Sequence, residues 1–141
     1  MFSLRIRDVM EKKKLVTAPP DTTVFAAARL MAKKNVGAVM IVEESRLLGI
    51  FTERDAVYRV LAKGLDSRTT RLAEVMTASP VSASPTESFG RALHVMHEKG
   101  FRHMPVVDNG ALVGIVSSRS AMDPEMEEFV SEAQRRLHVR S

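Results

Sequence analysis

The sequence contains no cysteine and no tryptophan, and one tyrosine. Without cysteine there is no disulfide framework, no thiolate metal site and no cysteine nucleophile. Aromatic residues make up 5% of the chain, which leaves little surface for stacking bases. Long apolar runs are also missing. The longest, around Ala38–Val42, falls far short of the ~18 residues that cross a bilayer, and the opening MFSLRIRDVM lacks the apolar stretch of a signal peptide. These absences predict a soluble, cytoplasmic protein without a membrane partner.

The chain does have enough apolar sequence for a core: 141 residues, 45% hydrophobic, 27% charged. Its net charge of +4 favours anionic partners, but the positive charge is scattered. Lys12–Lys14 and Arg135–Arg136 are the basic runs, and nucleic-acid binding is not favoured.

The chain also repeats itself. VTAPPDTTVFAAARLMAKKNVGAVMIVEESRLLGIFTERDA (Val16–Ala56) aligns without a gap on VSASPTESFGRALHVMHEKGFRHMPVVDNGALVGIVSSRSA (Val81–Ala121), at the 65-residue offset that relates Gly49 to Gly114. Upstream, Asp8-Val9-Met10 echoes Glu74-Val75-Met76 with one residue of slippage. Each copy reads as β-α-β-β-α. A short strand (Leu15–Thr17, Val81–Ser82) ends at prolines, which cannot continue a ladder. Asp21 or Thr22, and Ser84 or Thr86, are expected to cap the next helix. That helix carries Val24, Ala27, Leu30 and Met31 on one face, matched by Phe89, Ala92, Leu93 and Met96. It should stop at Asn35–Gly37 and at Gly100. Two apolar runs follow, with a tight turn between them: Asp108-Asn109-Gly110 is a strong hairpin signal and Glu44-Ser45 a weaker one. Units this small bury too little surface alone, so the two are expected to pack through their sheets around a shared core. The predicted organisation is repeat one over 4–65, the polar connector GLDSRTTR, repeat two over 70–123, and an amphipathic C-terminal helix and tail over 124–141.

This tandem pattern resembles a pair of CBS domains, named for cystathionine β-synthase. The resemblance rests on DVM and EVM at the heads of the repeats, the proline after each first strand, GFRHMPVVD, and the segment Gly49-Ile50-Phe51-Thr52-Glu53-Arg54-Asp55. It implies an α+β fold of two β-α-β-β-α units related by pseudo-twofold symmetry. It also implies clefts that take adenosine ligands such as AMP, ADP, ATP, S-adenosylmethionine or NAD(H), and pairing of two chains into a four-CBS homodimer. A regulatory, non-enzymatic module acting on an unidentified protein target is the implied function.

Thr52 is placed to cap the helix that follows its strand, and Asp55, one turn in, offers two acceptor oxygens to a ribose 2′,3′-diol. Arg54, Arg119 and the Arg102–His103 pair are candidates for phosphate. By resemblance, Thr17, Ala18, Gly37 and Ala38 line an adenine slot. Thr-x-x-Asp also has the spacing of a capping box, in which Asp55 serves only its own helix. Repeat two keeps Ser117 at the cap but has Ser120 where the acid stands in repeat one, which predicts a weaker, empty or differently adapted second cleft.

Beyond that site, Asp123-Pro124 interrupts the last helix of repeat two. Met126, Phe129, Val130, Ala133 and Leu137 then form a stripe that covers either the protein's own core or a partner protomer. His94-x-x-His97 has a metal-ligand spacing but no third ligand nearby, and a solvated flank is expected. No P-loop, dinucleotide-binding glycine fingerprint or nucleophile elbow is present, and the chain is not expected to be an enzyme. A purely structural dimerisation unit is the remaining alternative.

Overall fold

The computed structural model describes residues 4–119. Ser120, the break at Asp123-Pro124 and the expected C-terminal helix over 124–141 lie outside the described residues. In chain order the elements are α1 (Ile6–Val9), β1 (Thr17–Ala18), α2 (Val24–Lys34), β2 (Ala38–Glu43), β3 (Arg46–Thr52) and α3 (Glu53–Asp55), which runs on as a π-helical segment (Ala56–Leu61). Then come α4 (Leu72–Val75), β4 (Thr77–Ala78), α5 (Phe89–Lys99), β5 (His103–Asp108) and β6 (Ala111–Ser117).

The repeats fold alike because their local signals are alike. Helices α2 and α5 bury Val24, Ala27 and Met31, and Phe89, Ala92 and Met96. Their caps are not the residues expected from sequence. Thr23 Oγ1 accepts from the Ala26 N–H at 3.1 Å and Ser88 Oγ from the Arg91 N–H at 3.4 Å. The earlier polar residues are used up in turns after the prolines: the Thr22 N–H donates to Pro19 O, and Ser84 Oγ accepts from the Thr86 N–H. Both helices end on a left-handed residue, Asn35 (φ 54°) and Gly100 (φ 76°).

The hairpins β2–β3 and β5–β6 share one register, with Ala38 opposite Thr52 and His103 opposite Ser117. Glu44 and Ser45 adopt the same pair of positive φ angles (51° and 67°) as Asn109 and Gly110 (51° and 82°), so the weaker turn signal makes the same turn. The strand expected at Leu15–Thr17 is displaced to Thr17–Ala18, against the prolines. Its counterpart is a single parallel bridge from Ala83 to Val106 rather than a strand at Val81–Ser82.

The short lead segments change places. Strand β4, which follows α4, pairs with β3 of the first repeat to complete the order β1-β2-β3-β4. Glu11, which follows α1, bridges Ile115 of β6 in the second. The exchange is duplicated bond for bond. Ile6 and Arg7 N–H donate to Glu87 O and Pro85 O, while Leu72 and Ala73 N–H donate to Thr22 O and Pro20 O. Ile6 is fully buried with Phe89, Met96, Val106 and Val116, and Leu72 with Val24, Met31, Ile41 and Phe51. In place of one shared core, each half has its own. A third cluster joins the two sheets, in which Met40 and Ile50 meet Ile115, flanked by Leu47 and Leu112. The architecture is α+β with pseudo-twofold symmetry between the halves.

Candidate functional site

Strand β3 hands over to helix at Thr52, whose extended backbone (φ −116°, ψ 169°) is that of a cap residue. Thr52 Oγ1 accepts from the Asp55 N–H at 3.3 Å. Asp55 Oδ2 in turn accepts from the Thr52 N–H at 2.9 Å and from its hydroxyl at 3.2 Å. The capping box is therefore formed. It commits one carboxylate oxygen of a residue that is only 8% exposed. The other, Oδ1, has looser company: Arg59 Nε at 3.5 Å and the Thr77 hydroxyl at 3.5 Å. Those distances lie at the outer edge of hydrogen bonding, so Oδ1 keeps capacity for a better donor.

Arg59 does a second job from the same helix. Its Nη1 donates to Met76 O at 3.0 Å and to Val75 O at 3.4 Å, at the C-terminal end of α4, where a cation offsets the helix dipole. The acid at position 55 is thus tied to the exchanged segment of the other repeat.

Asp55 lies on the wall of a cleft of about 700 Å³ between the β3–α3 junction and the stretch Lys99–His103 that leads into β5. Gly37, Thr52, Arg54, Asp55, Arg102 and His103 come together here. Thr17 and Ala18 lie outside that lining, on β1 beside Met40 and Ile41. Ala38 is buried across from Thr52, and Arg119 follows β6 with its N–H on Ser117 Oγ at 3.3 Å; neither is on the lining. Tyr58, Arg59, Thr77, Lys99 and Phe101 are on it, and sequence reasoning did not name them. Arg59 was within reach, since it stands four residues after Asp55 on one helix. Thr77 enters through the exchange, which carries no local signal.

The charge is one-sided. Arg54, Arg59, Lys99 and Arg102 face the cleft with Glu53 and Asp55 as the opposing acids. The Arg54 guanidinium stacks on Tyr58, 5.0 Å from the ring centre. His103 is held below the usual histidine value of 6.5, chiefly by burial; Glu53 works against that lowering and Arg102 adds to it. Glu53 and Gly37 also border a second, open groove of about 420 Å³ against Ala28, Met31, Ala32 and Phe51. His94 lies on a solvated flank, 73% exposed, 3.4 Å from Glu98. Among the described residues no helix is long and apolar enough to cross a membrane.

Comparison with known proteins gives this geometry its context. The family described as "CBS domain" matches residues 6–62 and again 72–124. The CBS domain-containing protein YhcV of Bacillus subtilis is 38% identical over 112 residues, 79% of each chain. The Arabidopsis thaliana protein CBSCBSPB3 is 39% identical over 104 residues, which are 73% of this chain and 19% of that much longer one. Among solved structures, the CBS domain pair of MJ0100, in complex with 5′-methylthioadenosine and S-adenosyl-L-methionine, is 26% identical. It has a TM-score of 0.75, covering 92% of this chain and 98% of that one. PAE2072 of Pyrobaculum aerophilum, complexed with AMP, shares the fold at a TM-score of 0.77 and 24% identity, covering 92% of this chain and 99% of that one. The chain belongs to the CBS domain family, as a tandem pair.

Proposed function

We propose that the protein is a non-catalytic regulatory module that binds an adenosine nucleotide (AMP, ADP or ATP) in the cleft beside Asp55 and relays its presence to a protein partner. The observation that carries this is the half-committed carboxylate. One oxygen of Asp55 is held by Thr52, the other is weakly engaged, and the group lines a cleft large enough for a nucleotide. A ribose hydroxyl donating to Oδ1 at ordinary distance is a charge-assisted bond, and Arg54, Lys99 and Arg102 supply positive charge for phosphate. In this reading Thr17, Ala18 and Ala38 support the base side from β1 and β2, and Arg119 belongs to the opposite cleft. The adenosine ligands of the MJ0100 pair support the choice of base and sugar.

The same pair's S-adenosyl-L-methionine favours a second reading, in which Glu53 faces the cationic end of that ligand. Val57, Tyr58 and Leu61, at 50%, 60% and 71% exposure on one short helix, support self-association into a homodimer.

Calorimetry with AMP, ATP, NADH and S-adenosylmethionine on wild type and Asp55→Asn tests the proposal. Asparagine retains an acceptor for the Thr52 N–H but not the charge. An adenosine ligand that binds wild type and loses about tenfold or more in the variant supports the reading. Absence of binding by all four, or equal affinity in both proteins, refutes it.

A further inference from the structure

We propose that His103 makes ligand capture proton-linked: a phosphate-bearing ligand entering beside Arg102 is accompanied by uptake of a proton on the imidazole, so that affinity rises as pH falls. The inference rests on the nucleotide reading of the cleft and adds a regulation to it.

The geometry is a cluster around a missing side chain. His103 opens β5 and lines the cleft, its Cε1 3.5 Å from where a Cβ on Gly37 would stand. The Glu53 carboxylate occupies the space over that same glycine, so acid and imidazole meet where residue 37 has no side chain. The titratable and charged groups on the walls of the cleft that the ring lines are Glu53, Arg54, Asp55, Tyr58 and Arg59 from the helix after β3, Lys99 from the end of α5, and Arg102 from its own strand end.

In the free protein burial disfavours the imidazolium and Arg102 adds to that, with Glu53 opposing both, so the ring is neutral at neutral pH. A phosphate brought against Arg102 offsets that arginine's repulsion and adds negative charge beside the half-buried ring. Both effects raise the ring's proton affinity. Linkage is reciprocal: if the ligand strengthens proton binding, the proton strengthens ligand binding equally. A single site contributes at most about a decade of affinity per pH unit.

The test is calorimetric titration with AMP in buffers of low and high ionisation enthalpy, on wild type, His103→Gln and Glu53→Gln. Subtracting the His103→Gln result cancels titration of AMP's own phosphate. Between pH ~6 and pH ~7.5, wild type is expected to take up more protons per AMP than His103→Gln. Its affinity relative to that variant is expected to grow about threefold or more from pH ~7.5 to pH ~6. Glu53→Gln, at an exposed position, removes the acid that favours the charged ring and is expected to move the uptake to lower pH. Equal uptake in wild type and His103→Gln overturns the proposal, as does an unshifted profile in Glu53→Gln. AMP that binds without extra proton uptake defeats this inference alone, whereas absence of binding by AMP, ATP, NADH and S-adenosylmethionine alike defeats the nucleotide reading beneath it.

Discussion

Met76 fills the space that a side chain at position 49 would need: a Cβ on Gly49 would stand 2.5 Å from its sulfur and 2.9 Å from Thr77 O. The pseudo-symmetric contact, Met10 against Gly114, is looser, at 3.0 Å to sulfur and 3.3 Å to Glu11 O. The recurring glycine and the methionine of DVM and EVM are thus two sides of one contact, made between repeats. A methionine can swing away, but the Thr77 carbonyl is held in the β3–β4 ladder. Gly49→Ala is therefore expected to cost about 1–3 kcal/mol by urea denaturation, and Gly114→Ala less. The reverse order would contradict the closer approach at Gly49.

Exchange of the lead segments also makes a spatial prediction. Ile6→Ala removes a fully buried side chain from the core of the second repeat and Leu72→Ala from that of the first. Each is expected to cost about 2–5 kcal/mol. Hydrogen exchange is expected to show protection lost across β5–β6 for Ile6→Ala and across β2–β3 for Leu72→Ala. Damage confined to the repeat nearest in sequence would refute the packing described.

His103 sets an acid-side stability trend. Its pKa is lowered in the folded protein relative to the ordinary 6.5, so below that value the unfolded chain binds the extra proton first. Stability is complete above the ordinary value and declines as pH falls through it toward the lowered folded value. Thermal denaturation without ligand at pH ~7.5 and pH ~5.5 is expected to show a larger loss in wild type than in His103→Gln. Equal losses would mean that the ring titrates alike in both states.

The sequence was informative wherever the deciding signals were local. The repeat offset, the faces of α2 and α5, their left-handed ends at Asn35 and Gly100, and the Asn109-Gly110 turn all follow from neighbouring residues and fixed periods. The exchange was not readable, because Ile6 and Leu72 are equally apolar whichever core receives them. The caps were misplaced by one to four residues, because a Ser or Thr near a proline serves a turn as readily as a helix. At the site, Thr52 and Asp55 are singled out by the family resemblance of Gly49–Asp55, and spacing alone does not separate a capping box from a ligand group. The structure has the box closed through Oδ2 and Oδ1 loosely held, a distinction between two atoms of one side chain. Thr77 and Lys99 reach the cleft through long-range packing and were missed for that reason.

The proposed grip of Asp55 on a ribose is tested most directly by comparing dissociation constants for AMP and 2′-deoxy-AMP in wild type and Asp55→Asn. A carboxylate that takes the sugar hydroxyls predicts that wild type prefers AMP by about tenfold or more and that the variant loses this preference while binding the deoxy ligand about as before. Equal affinity of wild type for the two ligands, or a preference that survives in Asp55→Asn, would contradict it.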